Sequence, residues 1–127
     1  MKRIVLLLCS VFLLAGVATA AELKVEQGAI TTQVTNRTPV DDVKSTSAAV
    51  GKLFCFTKVT GADADTSVTH VWYHAGKEMN RVTLAVKGAS WRVWSSKSIQ
   101  PELKGEWKVD VLDAAGKVLT SIPFTVN

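Results

Sequence analysis

The sequence has 127 residues, 47% of them hydrophobic, with 15 lysines and arginines against 11 aspartates and glutamates, a formal charge of +4. That length holds a single hydrophobic core and not two. So slight a positive balance gives no footing to a nucleic-acid partner.

The chain opens Met1-Lys2-Arg3, continues as an apolar run from Ile4 to Leu14 interrupted only by Ser10, and then reads Ala15-Gly-Val-Ala18-Thr-Ala20-Ala21. A charged start, a short apolar middle and an Ala-x-Ala site predict a secretory signal peptide over residues 1–20, cleaved after Ala20. The run is too short for a membrane span, which needs about 20 residues, so cleavage leaves no stable membrane anchor. A lipoprotein signal does not fit, because Cys9 follows Leu6-Leu7-Leu8 deep inside the apolar run. The expected product is a periplasmic or secreted single domain, residues 21–127. Losing Lys2 and Arg3 reduces its charge to +2 and leaves one cysteine, Cys55. An intramolecular disulfide is thereby excluded. The apolar neighbours in Leu53-Phe54-Cys55-Phe56 favour a buried cysteine acting as a small hydrophobe over an intermolecular link or a reactive thiol.

Beyond Glu22 the apolar period is two, and turn residues interrupt it at short intervals, the pattern of an all-β sandwich or barrel. The first strand runs from Leu23 to Asn36 with Gly28 as a bulge or turn, and Arg37-Thr38-Pro39 ends it. Val40–Ala49 is small and polar, a connection across one end of the sandwich with room for one helical turn. Lys52–Thr60 is nearly continuous in apolar residues and reads as a central strand covered on both sides. The stretch Val68–Lys97 reads as a three-stranded meander, turning at Gly76-Lys77 and in a tight hairpin at Gly88-Ala89. It holds three of the four tryptophans and both histidines. In its middle strand Val82, Leu84 and Val86 alternate inward. Glu106–Leu112 offers Trp107, Val109 and Val111 to one face. Asp113-Ala-Ala-Gly116 turns the chain, and Lys117–Val126 closes it, with Pro123 indicating a sheet edge. About seven antiparallel strands and no long helix predict an immunoglobulin-like β-sandwich. With no cysteine pair between sheets, Trp72 or Trp107 must serve as the central aromatic by packing alone.

Several short elements in this order carry a family resemblance: Asn36-Arg37-x-Pro39, Leu53–Val59, His70-Val-Trp72, Gly76-Lys77, Ser90-Trp91-Arg92, Gly105-x-Trp107 and Asp113-x-x-Gly116. Together they resemble a bacterial family labelled domain of unknown function 2914, over nearly the whole mature chain. The combination carries the resemblance, since no single element is distinctive. It implies a compact β domain of an exported or membrane-tethered bacterial protein and brings no established activity. Where the family pattern often has Arg-Glu-Pro, this chain has Arg37-Thr38-Pro39.

The residues favour binding over catalysis. His70 and His74 point the same way along a strand but stand about 13 Å apart at ~3.3 Å per residue, too far to share one ion with bonds near ~2 Å. They remain metal candidates only with a bulge or a third ligand, Met79 being one for a soft ion. The better reading makes His70 a core histidine, its ring nitrogens bonded to backbone or to a hydroxyl such as Ser95 or Thr69. Asp63 and Asp65 lack the continuation of a calcium loop. No Gly-x-Ser-x-Gly elbow is present, and a Cys55–His70 pair would carry a thiol whose pKa is raised by apolar neighbours. No cofactor is implied. The stretch Trp91-Arg92-Val93-Trp94 is different: alternation puts Trp91 and Val93 on one face and Arg92 and Trp94 on the other. An outward indole beside a guanidinium suits a protein interface or a sugar ring. A competing possibility is that Arg92 stacks on Trp94 within the protein. The expected ligand-binding set is Arg92, Trp94, Ser96, Lys97 and Tyr73. The expected function is a non-catalytic binding or accessory module of the bacterial cell envelope, contacting another envelope protein. A carbohydrate-binding module is the alternative, and a metal-binding or hydrolytic protein around the two histidines a third reading.

Overall fold

A computed structural model describes residues 22–127; the predicted signal peptide and its cleavage site lie outside the described residues. Strand β1 (Lys24–Thr31) is followed by two short pieces, β2 (Val34–Thr35) and β3 (Thr38–Pro39), and by β4 (Ser45–Thr46). Then come six long strands: β5 (Lys52–Thr60), β6 (Thr66–His74), β7 (Lys77–Val86), β8 (Ser90–Ser98), β9 (Gly105–Leu112) and β10 (Val118–Val126). They form two main sheets, one in the order β1-β5-β8 and one in the order β4-β10-β9-β6-β7, and β2 pairs with β3 as a small hairpin. The seven long strands make the immunoglobulin-like sandwich that the two-residue period predicts.

The meander does not survive folding. β6 and β7 pair as expected, turning through Ala75 and Gly76, but β8 leaves that sheet and pairs along its whole length with β5. Gly88-Ala89 is therefore a crossing between sheets and not a hairpin. The physical reason lies in β5, whose inner side chains Leu53, Cys55 and Val59 are fully buried and need a neighbour to continue their face. β8 supplies one, setting Val93 and Ser95 beside Thr57 and Cys55.

Other boundaries shift for identifiable reasons. β1 stops at Thr31, where the Asp41 carboxylate accepts from the Thr31 hydroxyl (2.6 Å) and from the backbone N–H and hydroxyl of Thr32 (2.8 and 2.7 Å). The bulge in β1 falls at Glu26, not at Gly28. Gly28 instead marks a close approach, since a Cβ there would sit 2.8 Å from Ile122 Cδ1. The connection Val40–Ala49 holds no helical turn; β4 within it pairs parallel with the end of β10. That pairing reaches only Thr125 and Val126, so β10 is not the outermost strand, yet Pro123 lies beyond β4's reach on the flank that faces away from β9. A missing N–H costs nothing there. Asp113 turns the chain as predicted, its carboxylate accepting from the N–H groups of Ala115 and Lys117, with Gly116 at a φ of 90°.

Trp72 and Trp107 are both buried and share Phe124, which meets Trp72 edge-on at 6.2 Å and stacks with Trp107 at 5.8 Å. They do not act by packing alone. The Trp72 indole donates to the Ser95 hydroxyl at 3.2 Å and that of Trp107 to the Leu103 carbonyl at 2.9 Å, as a buried N–H requires.

Candidate binding surface

The outer face of the β1-β5-β8 sheet is set by the register between β5 and β8. Phe56 lies opposite Trp94, Lys58 opposite Arg92 and Phe54 opposite Ser96. Trp94 stacks on Phe56 with ring centroids 6.2 Å apart and planes 21° apart. Phe56 is fully enclosed, while Trp94 remains 37% exposed and is one of three large exposed apolar residues in the described chain. The indole thus leans on a second aromatic ring in an offset-stacked contact that restricts its orientation. Arg92 and Ser96 flank it, both exposed. Arg92 does not stack on Trp94; the cation–π contacts involve other pairs, among them Arg37 over Trp91 at 6.0 Å and Lys52 over Phe54 at 5.7 Å. Lys58 beside Arg92 is held by Glu26 at 3.0 Å. Of the row Phe54, Phe56 and Trp94 only Trp94 is well exposed, with Lys52 toward one end and Lys58 and Arg92 toward the other.

Two of the expected residues stand elsewhere. Lys97 pairs with Leu53 and so projects from the opposite face of β8, half-buried. Tyr73 belongs to the other sheet, where Lys108 lies over its ring at 5.0 Å. With Gly76, Glu106, Trp107, Lys108 and Pro123 it lines a shallow cleft of about 210 Å³. The structure therefore joins Arg92, Trp94 and Ser96, and separates Lys97 and Tyr73 from them. Phe56 is the member that sequence reasoning missed, because its place under Trp94 depends on pairing between strands more than 30 residues apart.

The histidines occupy different environments. His70 is fully buried between the sheets, with Nδ1 2.7 Å from the Ser95 hydroxyl and Nε2 3.1 Å from that of Thr57. Whichever ring nitrogen carries the proton, a hydroxyl can meet both that nitrogen and its partner. Burial pushes the pKa of His70 down to about 4, so the ring is neutral at pH 7. His74 lies against Trp107 at 4.9 Å and bonds through Nε2 to the Lys104 carbonyl at 2.8 Å. Cys55 is fully buried in the row of Ile30 and Ser95, and burial pushes its thiol pKa up, away from reactivity. Among the described residues no group of three or more His, Cys, Asp and Glu is placed to hold a metal.

No curated protein matches the sequence. Similar solved structures include the CARDB domain of the PF1109 protein from Pyrococcus furiosus in complex with di-metal ions. It has a TM-score of 0.51 and 9% identity, over 85% of this chain and 90% of that one. At such identity the likeness is one of fold alone. Two β-glucosidases, the GH3 enzyme of Bifidobacterium adolescentis and the enzyme of Listeria innocua in complex with isofagomine, align at a TM-score of 0.44 with 11% and 8% identity. Each covers 84% of this chain, which spans only 17% and 16% of theirs. At that score they carry no argument. The match by sequence falls on the second half of the chain. It leaves out Asn36-Arg37-x-Pro39 and Leu53–Val59 but takes in every strand from β6 to β10. Residues 65–126 match the family described as "Protein of unknown function (DUF2914)", the same family that the His-x-Trp, Trp-Arg and Gly-x-Trp elements resemble.

Proposed function

We propose that the protein is a non-catalytic binding module of the bacterial cell envelope, and that it docks another envelope protein on the outer face of the β1-β5-β8 sheet. The observation that carries this reading is Trp94: an exposed indole, stacked on Phe56 and flanked by Arg92 and Ser96. Tryptophan and arginine are the residue types that dominate interface hot spots, and a ring restricted beforehand loses less freedom on binding. The export signal read from residues 1–20 supports the location. The surroundings of the histidines support binding over catalysis: His70 is buried in the core and His74 lies against Trp107 and bonds a backbone carbonyl.

The test is a photo-cross-linking amino acid at position 96 in intact cells. A discrete adduct with one envelope protein is expected, lost in the Trp94→Ala background and absent when the probe sits at Thr83 on the other sheet. Equal adducts from positions 96 and 83 would overturn the reading. One observation favours carbohydrate as an alternative ligand: the Trp94 indole is 37% exposed beside a second aromatic ring, an arrangement suited to stacking on a sugar ring. In that case soluble cell-wall or cellulose-type glycans quench tryptophan fluorescence, and Trp94→Ala removes the quench. No response across a broad glycan panel removes this alternative.

A further inference from the structure

The sandwich has four sheet edges: β1 and β8 in one sheet, β4 and β7 in the other. An edge presents unpaired backbone donors and acceptors, and proteins blunt such edges with bulges, charges or brevity. Three of the four are blunted here. β1 is bulged at Glu26 and partly covered where the Val43 N–H donates to the Ile30 carbonyl at 2.7 Å. β4 is two residues long. β7 is bulged at Met79 and carries Lys77, Glu78 and Arg81. β8 is the least protected of the four: it keeps nine consecutive pairs with β5 without a shift, contains no proline, and bears only two charges, Arg92 on the outer face and Lys97 on the inner one.

We infer that β8 pairs antiparallel with the β8 of a second copy of this chain about a twofold axis at Trp94, joining two three-stranded sheets into one of six strands. The sequence Ser90-Trp91-Arg92-Val93-Trp94-Ser95-Ser96-Lys97-Ser98 is nearly self-complementary in that arrangement. Trp94 meets the partner's Trp94, an aromatic pair of the kind that stabilises adjacent strands. Arg92 lies opposite the partner's Ser96 and diagonal to the partner's Trp94, while Trp91 lies opposite the partner's Lys97, so both cations face rings or hydroxyls. Val93 meets the partner's Ser95, and Ser90 the partner's Ser98. No like charges oppose one another, and all nine residues are paired. An axis at Arg92 would set two guanidinium groups against each other. Side chains keep their faces in this pairing, so the Trp94 and Arg92 of both copies come onto one continuous surface. The inference goes beyond the docking role and does not require it.

Sedimentation of the purified protein from micromolar to millimolar concentration tests it. A reversible monomer–dimer equilibrium is expected. Trp94→Lys and Trp94→Glu each place like charges together at the axis and should raise the dimer dissociation constant at least tenfold. An equimolar mixture of the two should recover a heterodimer, whereas Thr83→Lys on β7 should leave dimerisation unchanged. A wild-type protein that stays monomeric throughout overturns the inference. So does a mixture that stays monomeric although circular dichroism shows both variants folded, or a dimer indifferent to Trp94→Lys. The in-cell adduct from position 96 with a different protein reads the docking role separately.

Discussion

At the residue scale, the group Thr57–His70–Ser95–Trp72 is the polar centre of an otherwise apolar interior. Ser95 on β8 holds both the His70 ring and the Trp72 indole of β6, so one hydroxyl links the two sheets. Removing it strands two buried groups, at ~1–3 kcal/mol each. We expect Ser95→Ala to lower unfolding stability by about 2–4 kcal/mol, measured as a shift in urea midpoint with the slope unchanged. His70 adds a pH dependence. Its folded pKa is held near 4 by burial, below the ordinary value of 6.5, so the unfolded chain binds the proton more readily. The stabilising effect is complete above pH 6.5 and is lost as pH falls toward 4, by about 3 kcal/mol in all. His70→Gln should remove that part of the slope between pH 6.5 and 4, as read from urea titrations at each pH. His70 as a core histidine bonded to Ser95 was legible in the sequence. Its second partner, Thr57, was not, because only the pairing of β5 with β8 brings Thr57 alongside Ser95 and so onto the ring, while Thr69, the other hydroxyl expected, meets Thr83 instead.

At the element scale, apolar patterning placed the strands well: the nearly continuous run Lys52–Thr60 is β5, and the alternating Val109 and Val111 of β9 are fully buried as expected. Strand pairing was less legible, because a hairpin and a crossing between sheets can use the same short glycine-containing link. Gly88-Ala89 is the second kind. Gly28 shows the same limit, reading as a bulge in sequence and serving in the fold as the gap into which Ile122 fits. Gly28→Ala forces the tip of the Ile122 side chain to move and should cost about 1 kcal/mol. Ile122→Val, which removes the clashing Cδ1, should recover part of that loss in a double-mutant cycle read by thermal unfolding.

At the scale of the whole molecule, the two sheets enclose Cys55 so completely that its thiol can meet a reagent only when the sandwich opens. Labelling of the Cys55 peptide by a thiol reagent, followed by mass spectrometry, should track the loss of native tryptophan fluorescence across a denaturant series. Labelling well below the unfolding transition would mean that the sheets part locally first. The period of two and the spacing of turn residues determined by themselves that the chain is an all-β sandwich, and the order of its short motifs pointed to the family that residues 65–126 match. They also set which side chains of a strand share a face, since alternation is a property of the extended backbone. Only the tertiary structure decided which strands are neighbours. That choice put Phe56 beneath Trp94, moved Tyr73 to the other sheet and closed the interior around His70. Such pairings are chosen by burial across tens of residues, and no local period records them.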